Sequence, residues 1–193
     1  MLAQWNDIKT DVPTDEPPGV HRVDTSLYTS ELLADLLLKP SELGTIEPGK
    51  NKHFYSRGAF NLVQLVLYIL RQTGSAHVFI STYSIAEESL ATLMRHKEAG
   101  DIRSIRFLID NRVRSISPKP FDFLATAFPH SYRCRALHAK VALIYNDRFH
   151  ISVVGSQNAT HNPKLERGIV HTDKQIFDFD LKCLTHEFNQ GTT

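Results

Sequence analysis

The middle of the chain alternates between hydrophobic segments of helix length and of strand length. Residues 58–72 are mostly apolar and long enough to predict a buried helix, which Gly74 would end. Residues 76–82 and 102–110 are short apolar runs that predict strands. Residues 85–100 between them have the spacing of an amphipathic helix. The order strand, helix, strand predicts a parallel α/β unit with a right-handed crossover.

The second half of the chain contains the same mixture of elements. A short helix, three strands and a closing helix are predicted over residues 121–128, 137–145, 149–155, 168–172 and 173–188. A turn around Asn146 and Asp147 would make the first two of these strands a hairpin. Together with the parallel unit, the hairpin predicts a mixed sheet.

The amino-terminal part shows no sustained period. Residues 1–26 contain three prolines and predict an irregular arm. Residues 30–38, a serine followed by a leucine-rich run, predict a short capped helix that ends before a proline. Residues 40–57 contain prolines and glycines and predict a loop. Its candidate phosphate contacts are Lys50, Lys52, His53 and Arg57.

Charge divides the chain into two parts. Residues 1–48 contain three basic and nine acidic side chains, a balance of −6, whereas residues 49–193 contain 19 basic and 12 acidic side chains, a balance of +7. We therefore predict an acidic extension over 1–48 and a basic body over 49–193. A basic body favours a polyanionic partner, because each neutralised phosphate releases counterions. A solvated surface of mixed charge is the competing interpretation.

Length and composition bound the class of protein. The 193 residues are 41% hydrophobic and 22% charged, which is typical of one soluble domain with an extension. The longest apolar run, Leu65–Leu70, is far shorter than the roughly 20 residues that cross a bilayer, and the start lacks the pattern of a secretory signal. Cys134 and Cys183 are too few for a disulfide framework. We expect a cytoplasmic protein with reduced thiols.

Residues capable of chemistry are concentrated in one stretch of the second half. His138 and Lys140 lie two apart on a predicted strand, so their side chains point to the same face. The next strand leads into Ser156 and Asn158, which the hairpin would bring to the same end of the sheet. An imidazole grouped with ammonium, hydroxyl and amide donors provides a nucleophile and a receptor for phosphate oxygens. Glu166 follows closely enough to orient the imidazole.

This stretch resembles the phospholipase D superfamily, whose signature is His-x-Lys, then Gly-Ser-x-Asn, then an acidic residue. The matching positions are His138, Lys140, Gly155, Ser156, Asn158 and Glu166. One position departs from the pattern: the family's Asp, five residues after the lysine, is replaced by Tyr145, and Asp147 lies two residues further on. The resemblance implies an α/β fold with a mixed, largely parallel sheet flanked by helices on both faces.

The resemblance also implies a mechanism. The family uses two such motifs, because one histidine attacks phosphorus and the other protonates the leaving oxygen. This sequence contains one motif, so we predict a homodimer in which two copies of His138 share a site. Lys140 and Asn158 would hold the phosphate oxygens, Glu166 would hydrogen-bond the imidazole, and Ser156 would support the phosphate or Glu166. The scheme requires no cofactor and no metal.

Candidate substrate-binding residues follow the predicted strands, because ligands of open α/β sheets gather at the carboxyl ends of strands. Tyr83 follows one strand, and Arg112 and Arg114 follow the next. Arg133 and Arg135 share one face of the segment before the motif. Each arginine taken singly is an ordinary surface charge, but as a group they would form a track for a polyanion.

Three functions remain open. The leading hypothesis is a metal-independent endonuclease-type phosphodiesterase acting on nucleic acid, with DNA favoured over RNA. The resemblance implies phosphoryl transfer, and the basic body, the small size and the single motif favour nucleic acid over lipid. A phospholipase or phosphatidyltransferase should carry an interfacial apolar helix, and only residues 31–38 could provide one. The third hypothesis is a catalytically inactive nucleic-acid-binding module of the same fold. Taken alone, His138 is more readily explained as a structural residue, but the complete motif reverses that preference.

Overall fold

A single mixed sheet organises residues 26–193, the part of the chain that the computed structural model describes. Its strands are β1 Thr29–Leu37, β2 Lys50–Arg57, β3 Ala76–Thr82, β4 Ile102–Asp110, β5 Tyr132–Arg135, β6 Lys140–Tyr145, β7 His150–Gly155 and β8 Leu165–His171. The helices are α1 Leu62–Thr73, α2 Glu87–Glu98, α3 Val113–Ile116, α4 Pro118–Ala127 and α5 Lys174–Asn189, and a 3-10 turn spans Pro40–Leu43. The arm predicted for residues 1–26 lies, apart from Ser26, outside the described residues.

The strand order is β1-β2-β8-β7-β6-β3-β4-β5. The pairs β1–β2, β3–β4 and β4–β5 are parallel, and the other pairs in this described sheet are antiparallel. The predicted parallel unit is confirmed as β3-α2-β4, and the predicted hairpin is β6–β7. Because β6 runs antiparallel to β3, its first residue lies at the same end of the sheet as the carboxyl ends of β3 and β4.

Helices cover both faces of the sheet, as the resemblance implied. On one face, side chains of α1, α2 and α4 join a large core that includes Phe54 and Phe107. On the other face, α5 packs through Phe177, Leu184 and Phe188 against apolar side chains of β3, β4 and β6. The two cores place the sheet in the middle of a three-layer α/β structure.

The helix predicted between residues 58 and 72 is α1. Asn61 caps it: the Asn61 side chain accepts a hydrogen bond from the backbone of Gln64 at 3.0 Å, and the Gln64 side chain accepts from the backbone of Asn61 at 2.9 Å. Gly74 ends the helix at a φ of +78°, which glycine adopts without strain. Although α1 is largely apolar, no helix among the described residues is long and apolar enough to cross a membrane.

The short helix predicted over residues 30–38 is wrong. These residues form β1, which pairs in parallel with β2 at an edge of the sheet. A short leucine-rich run fits a helix and an edge strand alike, so the pairing with β2 decides the structure. Leu37 is buried, whereas Leu32 is 75% exposed, so β1 covers little of the core.

The loop predicted over residues 40–57 is also wrong in its second half, where β2 forms. Buried and exposed side chains alternate along β2, the buried ones on the core side being Lys52, Phe54 and Ser56. This period of two is typical of a strand, but the neighbouring prolines and glycines obscured it. Lys52 pairs with Glu31 at 2.5 Å and Lys50 pairs with Glu47 at 2.9 Å, so carboxylates already neutralise both ammonium groups.

We expect Gly168→Ala to destabilise the protein. A Cβ at this position of β8 would lie 2.2 Å from Cζ of the buried Phe54 ring. Overpacking of this kind should lower the free energy of unfolding by about 1–3 kcal/mol, as measured by urea denaturation. The double variant Gly168→Ala/Phe54→Leu should recover part of the loss, because leucine frees the space. A double variant in which the two losses simply add would contradict this account.

Candidate active site

The imidazole of His138 and the ammonium of Lys140 are in direct contact at the end of the sheet where β3 and β4 terminate. Lys140 Nζ lies 2.9 Å from Nδ1 and 3.1 Å from Nε2 of His138. The same Nζ donates a hydrogen bond to the backbone carbonyl of His138 at 2.8 Å. Lys140 begins β6 but His138 precedes it, so the contact comes from the loop before the strand and not from alternation along the strand.

Lys140 is buried, with 7% of its surface exposed, whereas His138 beside it is exposed. Burial lowers the pKa of the Lys140 ammonium, and the nearby Glu166 carboxylate opposes this shift. A lowered pKa means that the charged form is poorly stabilised in the free protein. An anion bound beside Nζ would therefore gain a strong electrostatic interaction, which is the property of a phosphate receptor.

The segment after β7 places the amide group of Asn158 at the same end of the sheet, because Lys140 is paired with Gly155 across the β6–β7 hairpin. The Asn158 carbonyl accepts a hydrogen bond from the backbone N of Leu62, at the start of α1, at 3.0 Å. Asn158 Oδ1 accepts a hydrogen bond from Thr82 Oγ1 at 3.4 Å. These bonds hold Asn158 in place, and within residues 26–193 its Nδ2 donates to no acceptor. The amide N–H is thus available to a phosphate oxygen.

Glu166 organises the loop that follows β7. The carboxylate is buried on β8, where Oε2 accepts a hydrogen bond from Ser156 Oγ and Oε1 accepts one from Asn162 Nδ2 at 2.8 Å. The hydrogen bond expected from Glu166 to His138 does not form within the described chain. The reason is topological: β7 lies between β8 and β6, so about 10 Å of sheet separates the outer two strands.

Tyr83 lies beside His138, and Arg112 lies beside Tyr83. The ring centroids of Tyr83 and His138 are 5.0 Å apart, and the Arg112 guanidinium carbon is 4.7 Å from the Tyr83 ring centroid. Asp110, at the end of β4, accepts a hydrogen bond from Arg112 Nε at 2.8 Å. Of the five candidate substrate-binding residues, Tyr83 therefore contacts the imidazole, and Arg112 lies on the Tyr83 ring.

The other three arginines lie elsewhere. Arg114 is exposed on α3. On the face that α5 covers, Arg135 Nε donates to Glu187 at 2.8 Å and the Arg133 guanidinium lies 5.0 Å from the Phe188 ring centroid. No contact among residues 26–193 joins these three arginines to His138, so a continuous track of all four is not formed within one chain.

Two polar residues of the site were not predicted from the sequence. Gln157 is buried, and its Nε2 donates to Ser56 Oγ at 2.8 Å, which anchors the segment between Ser156 and Asn158 to β2. Asn162 donates to Glu166 from a segment without periodic structure. Gln157 lies at the variable position of the Gly-Ser-x-Asn pattern, and no pattern marks Asn162.

Comparisons with known proteins identify the fold. No protein-family model and no curated protein matches the sequence. Among solved structures, polyphosphate kinase from Porphyromonas gingivalis is similar with a TM-score of 0.57 and 14% identity over 83% of this chain, which spans only 30% of that protein. NucT from Helicobacter pylori is similar with a TM-score of 0.49 and 16% identity, over 73% of this chain and 97% of NucT.

A third structure, phosphatidylserine synthase from Haemophilus influenzae, is similar with a TM-score of 0.45 and 12% identity, over 74% of this chain and 41% of that protein. At identities this low, similarity concerns the fold, and the polyphosphate kinase match is the one that carries it. The chain therefore has the fold of the phospholipase D superfamily.

Proposed function

We propose that the protein is a metal-independent phosphodiesterase that cleaves nucleic acid through a phosphohistidine. The observation that carries the proposal is the 2.9 Å contact between the His138 imidazole and Lys140 Nζ at an accessible sheet edge. A neutral imidazole is a nucleophile for phosphorus, and an ammonium beside it can hold the phosphate in position for attack. The Asn158 amide adds a second donor for the phosphate oxygens.

The reaction requires two copies of His138, and the sequence has one, so the partner would be a second chain in a two-fold dimer. A ring nitrogen of one copy attacks phosphorus and forms a P–N bond, while the P–O bond to the leaving group breaks. The protonated second copy gives its proton to the leaving oxygen. Water then attacks the phosphohistidine, the second copy takes a proton from that water, and the P–N bond breaks.

The remaining polar groups have supporting roles in this scheme. Lys140 and Asn158 would stabilise the charge that grows on the non-bridging oxygens in the transition state. Ser156 and the buried Glu166 form a hydrogen-bonded pair that fixes the loop carrying Asn158. The Glu166 carboxylate also favours the charged form of Lys140, because the two groups interact electrostatically.

Charge and topology support nucleic acid over lipid as the substrate. The body from residue 49 onward has a balance of +7, from 19 basic and 12 acidic side chains, which suits a polyanion. The leucine-rich segment that could have formed an interfacial helix is β1, and three strands, β2, β8 and β7, separate it from β6. Its exposed leucines are therefore remote from His138, which precedes β6.

The proposal predicts cleavage of nucleic acid in the presence of EDTA. Labelled single- and double-stranded DNA and RNA, and phospholipid vesicles as the alternative substrate, would be incubated with purified protein in EDTA and in Mg²⁺. We expect internal cuts in nucleic acid at similar rates in both buffers, and acid-labile phosphate on the protein after rapid quenching. Strict dependence on Mg²⁺, or hydrolysis of phospholipid without cleavage of nucleic acid, would overturn the proposal.

A further inference from the structure

Arg112 is held in place beside the Tyr83 ring, and that ring contacts His138. Its Nε donates to Asp110 Oδ1 at 2.8 Å and its backbone N donates to the same oxygen at 3.0 Å. The other carboxylate oxygen of Asp110 accepts a hydrogen bond from the backbone N of Leu137 at 3.1 Å, one residue before His138. A single buried carboxylate therefore connects the end of β4, the guanidinium and the segment that carries the nucleophile.

Asp110 is charged in this arrangement. Burial alone would raise the pKa of this carboxyl group, but the hydrogen bonds from Arg112 and Leu137 outweigh burial and hold the pKa below its ordinary value. The ionised carboxylate accepts the charge-assisted hydrogen bond from Nε, and the Tyr83 ring supports the face of the guanidinium at 4.7 Å. Both contacts fix the plane of the Arg112 side chain.

The outer end of this guanidinium is open. The Arg112 side chain is 61% exposed, and within the described part of the chain its Nη1 and Nη2 make no hydrogen bond. A guanidinium with Nε occupied and both Nη groups free offers a fork that fits two oxygens of a phosphate. Since the fork is already oriented by Asp110 and Tyr83, binding a phosphate there would cost little side-chain entropy.

We propose that Arg112 is a second phosphate subsite, which binds a phosphate neighbouring the one attacked by His138. The inference rests on the proposed function and narrows its substrate to polymers with successive phosphates, because one aromatic ring separates the guanidinium from the imidazole. A substrate with a single phosphodiester cannot occupy both places. Tyr83 and Asp110 are positioning residues for this subsite.

The subsite can be tested with two substrates that differ in the number of phosphates. Values of kcat/KM would be measured in EDTA for a short oligonucleotide and for bis(p-nitrophenyl) phosphate, which contains one phosphodiester. For Arg112→Gln we expect the ratio of the oligonucleotide value to the bis(p-nitrophenyl) phosphate value to fall about 10- to 100-fold, as for the loss of charged hydrogen bonds. The matched control is Arg148→Gln.

Arg148 provides a stringent control because its guanidinium is also exposed and also stacks on an aromatic ring, at 5.3 Å from the Phe149 centroid. It lies at the turn between β6 and β7, at the opposite end of β6 from Lys140. Its substitution removes the same charge without touching the site, so the ratio should stay at the wild-type value. An equal fall in both variants would attribute the effect to net charge and overturn the subsite.

An unchanged ratio for Arg112→Gln would also overturn the subsite while leaving the proposed function in place. If the wild-type protein hydrolyses neither substrate, the proposed function fails, and binding of a fluorescently labelled oligonucleotide then tests the subsite separately. Weaker binding by Arg112→Gln than by Arg148→Gln would support it, and equal binding would reject it.

Discussion

Purified His138→Ala protein should cleave nucleic acid at least about 10⁴-fold more slowly than the wild-type protein. The substitution removes the nucleophile from one subunit and the general acid from the other, so both halves of the reaction fail together. The measurement is the initial rate of cleavage of a labelled oligonucleotide in EDTA. After quenching in alkali, in which a P–N bond is stable, the wild-type protein should carry phosphate and the variant should carry none.

The loss can be separated from misfolding. His138 is exposed, so His138→Ala should change the free energy of unfolding by less than about 0.5 kcal/mol. His161→Ala is the matched control, because His161 is another exposed histidine and lies three residues after Asn158. It should retain the wild-type rate. Substantial cleavage by His138→Ala, or an equal loss in His161→Ala, would contradict the assignment of the nucleophile.

The shared site also predicts the activity of a mixture of wild-type and His138→Ala chains. When equal amounts of wild-type and His138→Ala chains are refolded together, a site that needs both histidines is intact in only about a quarter of the dimers. The activity per total chain should then be about a quarter of that of the wild-type protein. An activity of one half would show that each chain works independently, and the dimer proposal would be wrong.

The central strands and the amphipathic helix between them were predictable from the sequence. Residues 76–82 and 102–110 became β3 and β4, and the helix between them became α2, because burial on both sides of a central strand produces a continuous apolar run. The failures lie in β1 and β2. β1 is an edge strand with one neighbour and few buried side chains, so its residues carry no strong pattern and its structure depends on pairing with β2. β2 lies between β1 and β8 and has a period of two, which the neighbouring prolines and glycines obscured.

Only the part of the site that is formed by residues close together in the sequence was predictable. The contact between His138 and Lys140 needs only two positions in one short segment, and the sequence placed these residues together. Glu166 was assigned to the imidazole because it is near in sequence, but the insertion of β7 between β6 and β8 directs it to Ser156. Strand order is a property of the whole sheet, and no spacing within the motif encodes it.

The arginines illustrate the same limit. Four of them were expected to form one track, and within residues 26–193 Arg112 alone of these four contacts the Tyr83 ring, which contacts His138. Arg133 and Arg135 alternate with Cys134 on β5, so they face α5, a helix that begins nearly forty residues later in the chain. Which face of β5 that helix would cover could not be predicted from the local sequence.

Lys140→Met should lower kcat/KM by about 10²- to 10³-fold, the usual effect of losing one donor to the developing charge in a transition state. Methionine has a similar length and no charge, and Lys140 is buried with its ammonium poorly stabilised, so the fold should tolerate the exchange. The variant should unfold at an unchanged or higher urea concentration. A loss of activity accompanied by a large loss of stability would count against a role in the reaction.

Lys140 should also determine how activity depends on pH. Because burial lowers the pKa of its ammonium, the group loses its proton, and with it the attraction for phosphate, at a pH below the ordinary lysine range. The kcat/KM of the wild-type protein, which reports groups in the free enzyme, should therefore fall as pH rises through that lowered pKa. In Lys140→Arg the guanidinium stays charged throughout, so any activity that remains should fall less steeply over the same pH interval than that of the wild-type protein. An equally steep fall in both proteins would assign the titration to another group and remove Lys140 as the phosphate receptor.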